Sequence, residues 1–395
     1  MRYLLLITLF SLQLISAVAL PKQNKPVRGV WIPDPSHTTA MVTYENVLKT
    51  VDLLQELKLN TVFVCAWAKG QTIYRSSLLQ SRAGYKTIDE GYLLKESMAN
   101  YNQPLKSPTG DPLKDLVREA HKRKIKVILW FEYGFMATHG PTPENNPLLA
   151  SNPQWASRGN DGKQANYNKT DYYFNAYHPD LQEFMLKLIK EALTLYPEID
   201  GIQGDDRMPA MPRNSGYDDY TVSKYKAEHN GNEPPADFNH PEWVRWRLDL
   251  LNRFAAEMHK TIKSTKKSAL VCFSPNPYPW CMDNLMQEWP QWVESGLVDI
   301  LSVQCYRNSV EAYSSTVETA ENYVREKTKK SILNPGIILK NGHKIMSKEL
   351  LTQQLEVNKK LNTNGETFFY NEGLLDGQVQ EVLRSFYSNH SNENR

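Results

Sequence analysis

Asp200-Gly201-Ile202-Gln203-Gly204-Asp205-Asp206-Arg207-Met208-Pro209 carries a strand-like segment directly into two adjacent carboxylates and an arginine. In a parallel α/β barrel the active site is assembled at the C-terminal ends of the strands, so an acid at a strand exit points into a shared bowl. Side chains alternate along a strand. With Ile202 and Gly204 turned to the surrounding helices, Gln203 and Asp205 face the barrel axis and Asp206 opens the loop. Asp205 is then the leading candidate for chemistry, and a strand one residue longer hands that place to Asp206. The bland counterpart is a salt-bridged loop start with Arg207 as the cation.

Working outward, apolar strand-like runs alternate with longer amphipathic ones, the pattern of a parallel sheet with helical crossovers. The strand candidates are Arg28 to Pro33, Thr61 to Trp67, Lys126 to Tyr133, Gly201 to Asp205, Ala269 to Ser274, Asp299 to Tyr306, Ile332 to Leu339 and Thr367 to Tyr370. Three- and four-residue apolar steps predict helices over Tyr44 to Leu57, Pro112 to Lys124, Pro179 to Leu195, Pro241 to Ser264 and Lys348 to Leu361. Pro112 and Pro179 stand at first helical positions, where a missing N–H costs little. The economical closure is a single (β/α)8 TIM barrel over residues 27–387. Its long loops after strands 2, 3 and 4 (residues 68–110, 136–178 and 207–240) crowd one rim, and long loops in compact domains tend to be functional.

Composition agrees with one large domain: 395 residues, a formal charge of +2 and 41% hydrophobic residues. The near-neutral balance offers nothing to nucleic acid or to an anionic membrane surface. Residues 1–19 read as a signal peptide, with Arg2, an apolar run over Leu4 to Ile15, and Ala17-Val18-Ala19 as the cleavage site. The run is too short for a stable membrane span, so the mature protein is expected to be secreted or periplasmic. Residues 388–395 form a polar tail. Cys65 and Cys305 read as small buried hydrophobes. Cys272 and Cys281 are candidates for a disulfide in an oxidising compartment, given suitable geometry.

The other strand exits supply sugar-compatible groups. Strand three ends Trp130-Phe131-Glu132-Tyr133, with Trp130 and Glu132 on one face. Strand two ends at Trp67, strand five at Ser274-Pro275-Asn276, strand six at Gln304-Cys305-Tyr306-Arg307, and strand eight at Tyr370-Asn371-Glu372. Each has an ordinary alternative: Trp67 and Trp130 as upper core, Gln304 bonding loop backbone, Glu372 capping the last helix.

Several of these pieces, with Arg28-Gly29-Val30-Trp31, Gly216-Tyr217-Asp218-Asp219-Tyr220 and Trp243-Val244-Arg245-Trp246-Arg247, resemble the glycosyl-hydrolase-like 10 family of exported bacterial proteins over roughly Val27 to Leu375. The resemblance implies a TIM barrel, export and action on a glycan, cell-wall glycan among the options. No extra segment reads as a peptidoglycan-binding module. The catalytic glutamates of the true family 10 xylanases do not carry over, because strand seven, Asn334 to Asn341, has no carboxylate.

Glycoside hydrolysis requires two carboxyl groups, one protonated and one ionised. The candidates are Asp205, Glu132, Asp206 and Glu372. Asp205 is the expected ionised partner, favoured by Arg207 and Gln203. Glu132, among aromatic neighbours, is the expected proton donor. Trp67, Tyr133, Gln203, Arg207, Asn276, Gln304, Tyr306 and Arg307 are the expected substrate-binding residues. A glycan-binding barrel without catalysis is the alternative reading. A third reading recruits Asp205 and Asp206 with His139 or His178 around a divalent metal, but neither histidine stands in a helical i, i+4 pair or beside the acids in sequence. No metal or cofactor is therefore expected.

Overall fold

The structure is a computed structural model describing residues 26–140, 146–328 and 331–389. The segment expected to be a signal peptide and most of the polar tail lie outside the described residues; Ser388 and Asn389 complete the last helix.

Eight strands make one all-parallel sheet: β1 (Val27–Ile32), β2 (Thr61–Cys65), β3 (Lys126–Phe131), β4 (Gly201–Asp205), β5 (Leu270–Ser274), β6 (Ile300–Leu301), β7 (Gly336–Ile338) and β8 (Gly365–Phe369). Consecutive strands are neighbours from β1 to β6, and β8 lies between β1 and β7. Closure comes at the β6 edge, where Leu301 and Leu333 form a parallel bridge and Gly336 N donates to Val303 O at 2.7 Å. The expected TIM barrel is thus present, and β4 has the bounds read from the sequence. β6 is shorter than its apolar run, because the chain turns after Leu301 and Cys305 N bonds back to Val303 O at 2.8 Å.

The crossovers are α1 (Tyr44–Glu56), α2 (Pro112–Lys122), α3 (Pro179–Leu195), α4 (Pro241–Thr265), α5 (Trp289–Glu294), α6 (Val310–Lys327), α7 (Lys348–Lys360) and α8 (Gly377–Asn389). Their starts are fixed chemically: Thr43, Asp111, Ser309 and Ser347 accept first-turn N–H groups, and Pro112, Pro179 and Pro241 open their helices. In α3 the three- and four-residue spacing buries Leu181, Phe184, Met185, Leu188, Ile189, Ala192 and Leu193. A full burial is worth about 1.5–3 kcal/mol for each large apolar side chain, so a charge at Leu188 would undo the packing of this helix.

Strand alternation divides the core in two. Trp31, Phe63, Cys65, Ile128, Trp130, Cys272 and Ile300 fill the barrel, while residues of opposite parity, such as Val30, Val62, Val127 and Ile202, pack beneath the helices. This division rules out the Cys272–Cys281 pairing. β5 parity turns Cys272 into the barrel, whereas Cys281 packs in the outer layer and donates its thiol to Gln287 O. All four cysteines are free and buried.

The long loops carry their own structure at the strand exits. After β2 come a hairpin (Trp67–Ala68 with Gln71–Thr72) and a helix (Ser77–Ala83); after β3, a three-stranded antiparallel sheet; after β4, a helix (Asp219–Glu228). They are stitched to one another. Asn146 Nδ2 donates to Lys69 O, Asn152 Nδ2 to Arg82 O, and Gly216 N to Arg158 O, while Gly159 bridges Ser215.

Candidate active site

The third strand delivers Glu132 to the barrel mouth. Its parity matches Trp130 and Ile128, both inside the barrel, and its side chain is only 6% exposed. Asp34, two residues beyond β1, donates its backbone N–H to Glu132 Oε2 at 3.2 Å. Burial, and secondarily the Asp34 charge, push the Glu132 carboxyl from its ordinary 4.5 to about 8, against the opposing influence of the Cys65 thiol and Arg207. Asp34 is held in turn by Ser36 and by the Tyr133 hydroxyl at 3.3 Å.

Backbone fit explains how the β3 and β4 exits come together. Gly134 has φ +43°, and a Cβ built there would lie 2.4 Å from Arg207 O. Only glycine allows this approach, which Phe135 N completes by donating to Arg207 O at 2.9 Å. The Arg207 guanidinium lies 5.7 Å from the Tyr133 ring centroid, and Lys69 Nζ lies 4.2 Å from the same centroid.

Arg207 binds both carboxylates of the β4 exit. Its Nη1 donates to Asp206 at 2.6 Å and to Asp205 at 3.2 Å, and its backbone N–H donates to Asp205 at 2.8 Å. Burial opposes the guanidinium charge, yet Asp206 and Asp205, with Tyr173 and Asp171 further out, keep it firmly protonated. The two acids differ in access. The Asp205 side chain is fully buried, and burial, reinforced by Asp206, raises its carboxyl well above the usual carboxylate range despite Arg207. The expected ionisation of Asp205 is therefore not favoured by this environment. The hydrogen bond expected from Gln203 is also not made: its Oε1 accepts from the Trp31 indole at 2.8 Å, and its buried Nε2 has no protein partner among the described residues. Asp206 retains an exposed edge and accepts from Arg207 and from Asn276 Nδ2 at 2.9 Å, one on each oxygen.

The β6 exit contributes Tyr306. Burial raises its hydroxyl well above the usual range, with Asp206 and Glu132 both adding to the effect, so this ring lies within electrostatic reach of both acids. It stacks on Phe369 at 5.4 Å. Gln304 Nε2 bonds Ser274 O, and Arg307 folds back onto Tyr306 O.

Two expected participants lie elsewhere. Trp67 is fully buried because the chain leaves β2 in a hairpin: its ring packs on Phe184 and its N–H bonds Gly134 O at 2.8 Å, leaving no face for a sugar. Glu372 accepts from Thr38 and borders a surface pocket against α1 with Thr39, Asn46 and Leu53. His139 pairs with Asp171, and His178 caps α3 and packs at a tilt on the Tyr220 ring, so neither joins the β4 acids. Among the described residues no group of three or more His, Cys, Asp or Glu side chains is arranged to hold a metal ion.

Sequence reasoning missed Asp34 and Gln287. Asp34 follows Pro33 at a strand exit and was legible by that position. Gln287 Nε2 donates to Asp205 O and Pro209 O, fixing the β4 loop from a distant segment with no local signal.

The chain is 23% identical over 328 residues to the glycosyl hydrolase DigH of Escherichia coli, covering 72% of this chain and 66% of DigH. It is 22% identical to the glycosyl hydrolase YngK of Bacillus subtilis, covering 73% and 56%. The chain thus spans somewhat less than two thirds of the length of these relatives. The PgaB (BpsB) glycoside hydrolase domain from Bordetella bronchiseptica shares the fold, with a TM-score of 0.62 at 13% identity over 91% of this chain and 98% of that domain. Residues 26–344 match the glycosyl hydrolase-like 10 family over most of the barrel, and the chain belongs to that family.

Proposed function

We propose that this protein hydrolyses glycosidic bonds in a poly- or oligosaccharide, with Glu132 as proton donor and Asp206 as ionised partner. The carrying observation is the contrast between the two side chains. Glu132 is kept protonated to about pH 8 by burial and Asp34, whereas Asp206 accepts on both oxygens and has no donor role. In the reaction, Glu132 gives its proton to the glycosidic oxygen as the C–O bond breaks. Asp206 balances positive charge at the anomeric carbon and serves as nucleophile or as base for water. Asp205, shielded from substrate, is a positioning residue that fixes Arg207.

The test is reducing-end release by purified protein from a glycan panel that includes cell-wall glycan. Glu132→Gln and Asp206→Asn should each lower turnover by about 10² to 10⁴-fold, with substrate still bound. Full turnover in either variant refutes the pairing. Glycan retention by a wild-type protein that releases no reducing ends would instead favour a binding barrel.

Export belongs to the same proposal and rests on Arg2, the apolar run and Ala17-Val18-Ala19. Among the described residues no helix is long and apolar enough to cross a membrane. N-terminal sequencing of protein from the periplasm or culture fluid should begin at Leu20, and an intact Met1 would overturn the expected cleavage.

A further inference from the structure

Trp280 is 40% exposed, the most open Trp, Tyr or Phe side chain among the described residues. A single exposed apolar side chain needs no explanation by itself, so the argument rests on its surroundings. Trp280 lies four residues beyond Asn276, whose amide holds Asp206, and is therefore on the same rim as the carboxylates. Its ring meets Tyr167 edge-to-face, with centroids 5.8 Å apart and planes at 88°. Tyr167 faces Asp171 across the hairpin of the β3 loop, and Asp171 is close enough to Arg207 to help hold its charge. The pair thus joins the loops after β3 and β5 beside the exit of β4.

This pair is also fixed in place. The short helix Trp280–Leu285 is tied to the β4 loop by Met211 N to Leu285 O and Arg213 N to Asn284 O, both at 2.9 Å, and Asn284 Nδ2 bonds Trp280 O. A ring already held in position loses little freedom on binding, so its contact area converts efficiently to affinity. Hydrogen-bonding groups border it on the Tyr167 side: the exposed Asn168 and Lys169 at the hairpin tip, and His139 paired with Asp171. A flat, rigid aromatic edged by polar groups matches a pyranose, which offers axial C–H groups on its face and hydroxyls at its rim. An apolar protein segment would leave that polar border unsatisfied.

We infer that Trp280, braced edge-to-face by Tyr167, is a stacking platform for a second pyranose of the chain, so the substrate is an oligosaccharide reaching from the carboxylate pair to this platform. Pyranoses with equatorial substituents present the flattest face and are the class this surface fits. The location of the scissile bond rests on the hydrolase reading above, whereas the stacking itself does not.

The test is calorimetric titration with cellohexaose and chitohexaose, and with the matching disaccharides, in the Glu132→Gln background. Trp280→Ala should weaken at least one hexasaccharide tenfold or more while leaving disaccharide binding unchanged, and Trp280→Phe should restore most of the loss. Equal hexasaccharide affinity with and without Trp280, or no binding of either hexasaccharide to the parent protein, overturns the inference. A sedimentation change from dimer to monomer in Trp280→Ala would also overturn it, by assigning the ring to self-association. If turnover persists in Glu132→Gln while Trp280→Ala still loses hexasaccharide affinity, the catalytic reading fails and the platform stands.

Discussion

Replacing Glu132 by Gln should make the protein more stable, by an amount that depends on pH in a way few other substitutions would. Below pH 4.5 the carboxyl is protonated in both folded and unfolded chains and imposes no penalty. Between pH 4.5 and about 8 the unfolded chain releases the proton while the folded chain retains it, so stability falls by about 1.4 kcal/mol for each pH unit. Above pH 8 the folded chain ionises too and the loss is complete. The interval of about 3.5 pH units (8 less 4.5) gives a loss of about 5 kcal/mol, all of it absent in the neutral amide, which can still accept from the Asp34 N–H. Urea denaturation of wild type and Glu132→Gln from pH 4 to 9 measures this as a difference, in which titrating groups not coupled to Glu132 cancel. The two midpoints should nearly coincide at pH 4, separate steadily, and run parallel above pH 8. A difference that does not change with pH, or a variant less stable at pH 8, would refute the account of Glu132 as a buried, protonated acid. Turnover, which needs the same proton, should fall as pH rises through about 8.

Two further substitutions probe the scaffold of the site. Gly134→Ala places a methyl group 2.4 Å from the Arg207 carbonyl at a positive φ. It should cost about 2 kcal/mol or more in thermal or urea unfolding and depress turnover by displacing Arg207; near-wild-type values for both would show that the β3 and β4 exits are not locked there. Arg247 is fully buried and donates to the carbonyls of Trp243, Arg213, Ser215 and Phe238. Arg247→Ala should destabilise the protein by about 3 kcal/mol, since buried carbonyls lose their donors, and limited proteolysis should then cut first within residues 207–240; unchanged protection would contradict the clamp.

How far the sequence could be read depended on whether the information was local. β4 was legible to the residue because an alternating segment ends abruptly in charge, and α3 because Pro179 and the apolar spacing mark its limits. Glu132 followed from parity with Trp130. Trp67 did not, although it has the parity of Phe63 and Cys65. At Ala66 the chain bends into a hairpin, held by Ala66 N to Trp130 O and Ile73 N to Ala66 O, and that bend reverses the face. The roles of Asp205 and Asp206 hinge on which carboxylate is sealed from water, a matter of tertiary packing, and the partners that fix this exit, Gln287 on the Asp205 carbonyl and Asn276 on the Asp206 carboxylate, are remote in sequence. Glu372 misled because the chain after β8 turns into a short helix, Asn371–Leu375, beside Thr38.

The stitched rim has a consequence for any attempt to change what this barrel accepts. The loop after β3 completes backbone hydrogen bonds of the loop after β2, Asn146 for Lys69 and Asn152 for Arg82, and the loop after β4 does so for the loop after β3, Gly216 for Arg158. Transplanting a single loop from a relative would strand polar groups in its neighbours, at about 1–3 kcal/mol for each one buried without a partner. The three loops are therefore the smallest exchangeable cassette. Specificity in this barrel would be inherited, or engineered, as one piece of architecture, with the eight strands serving as a socket that any compatible collar can occupy.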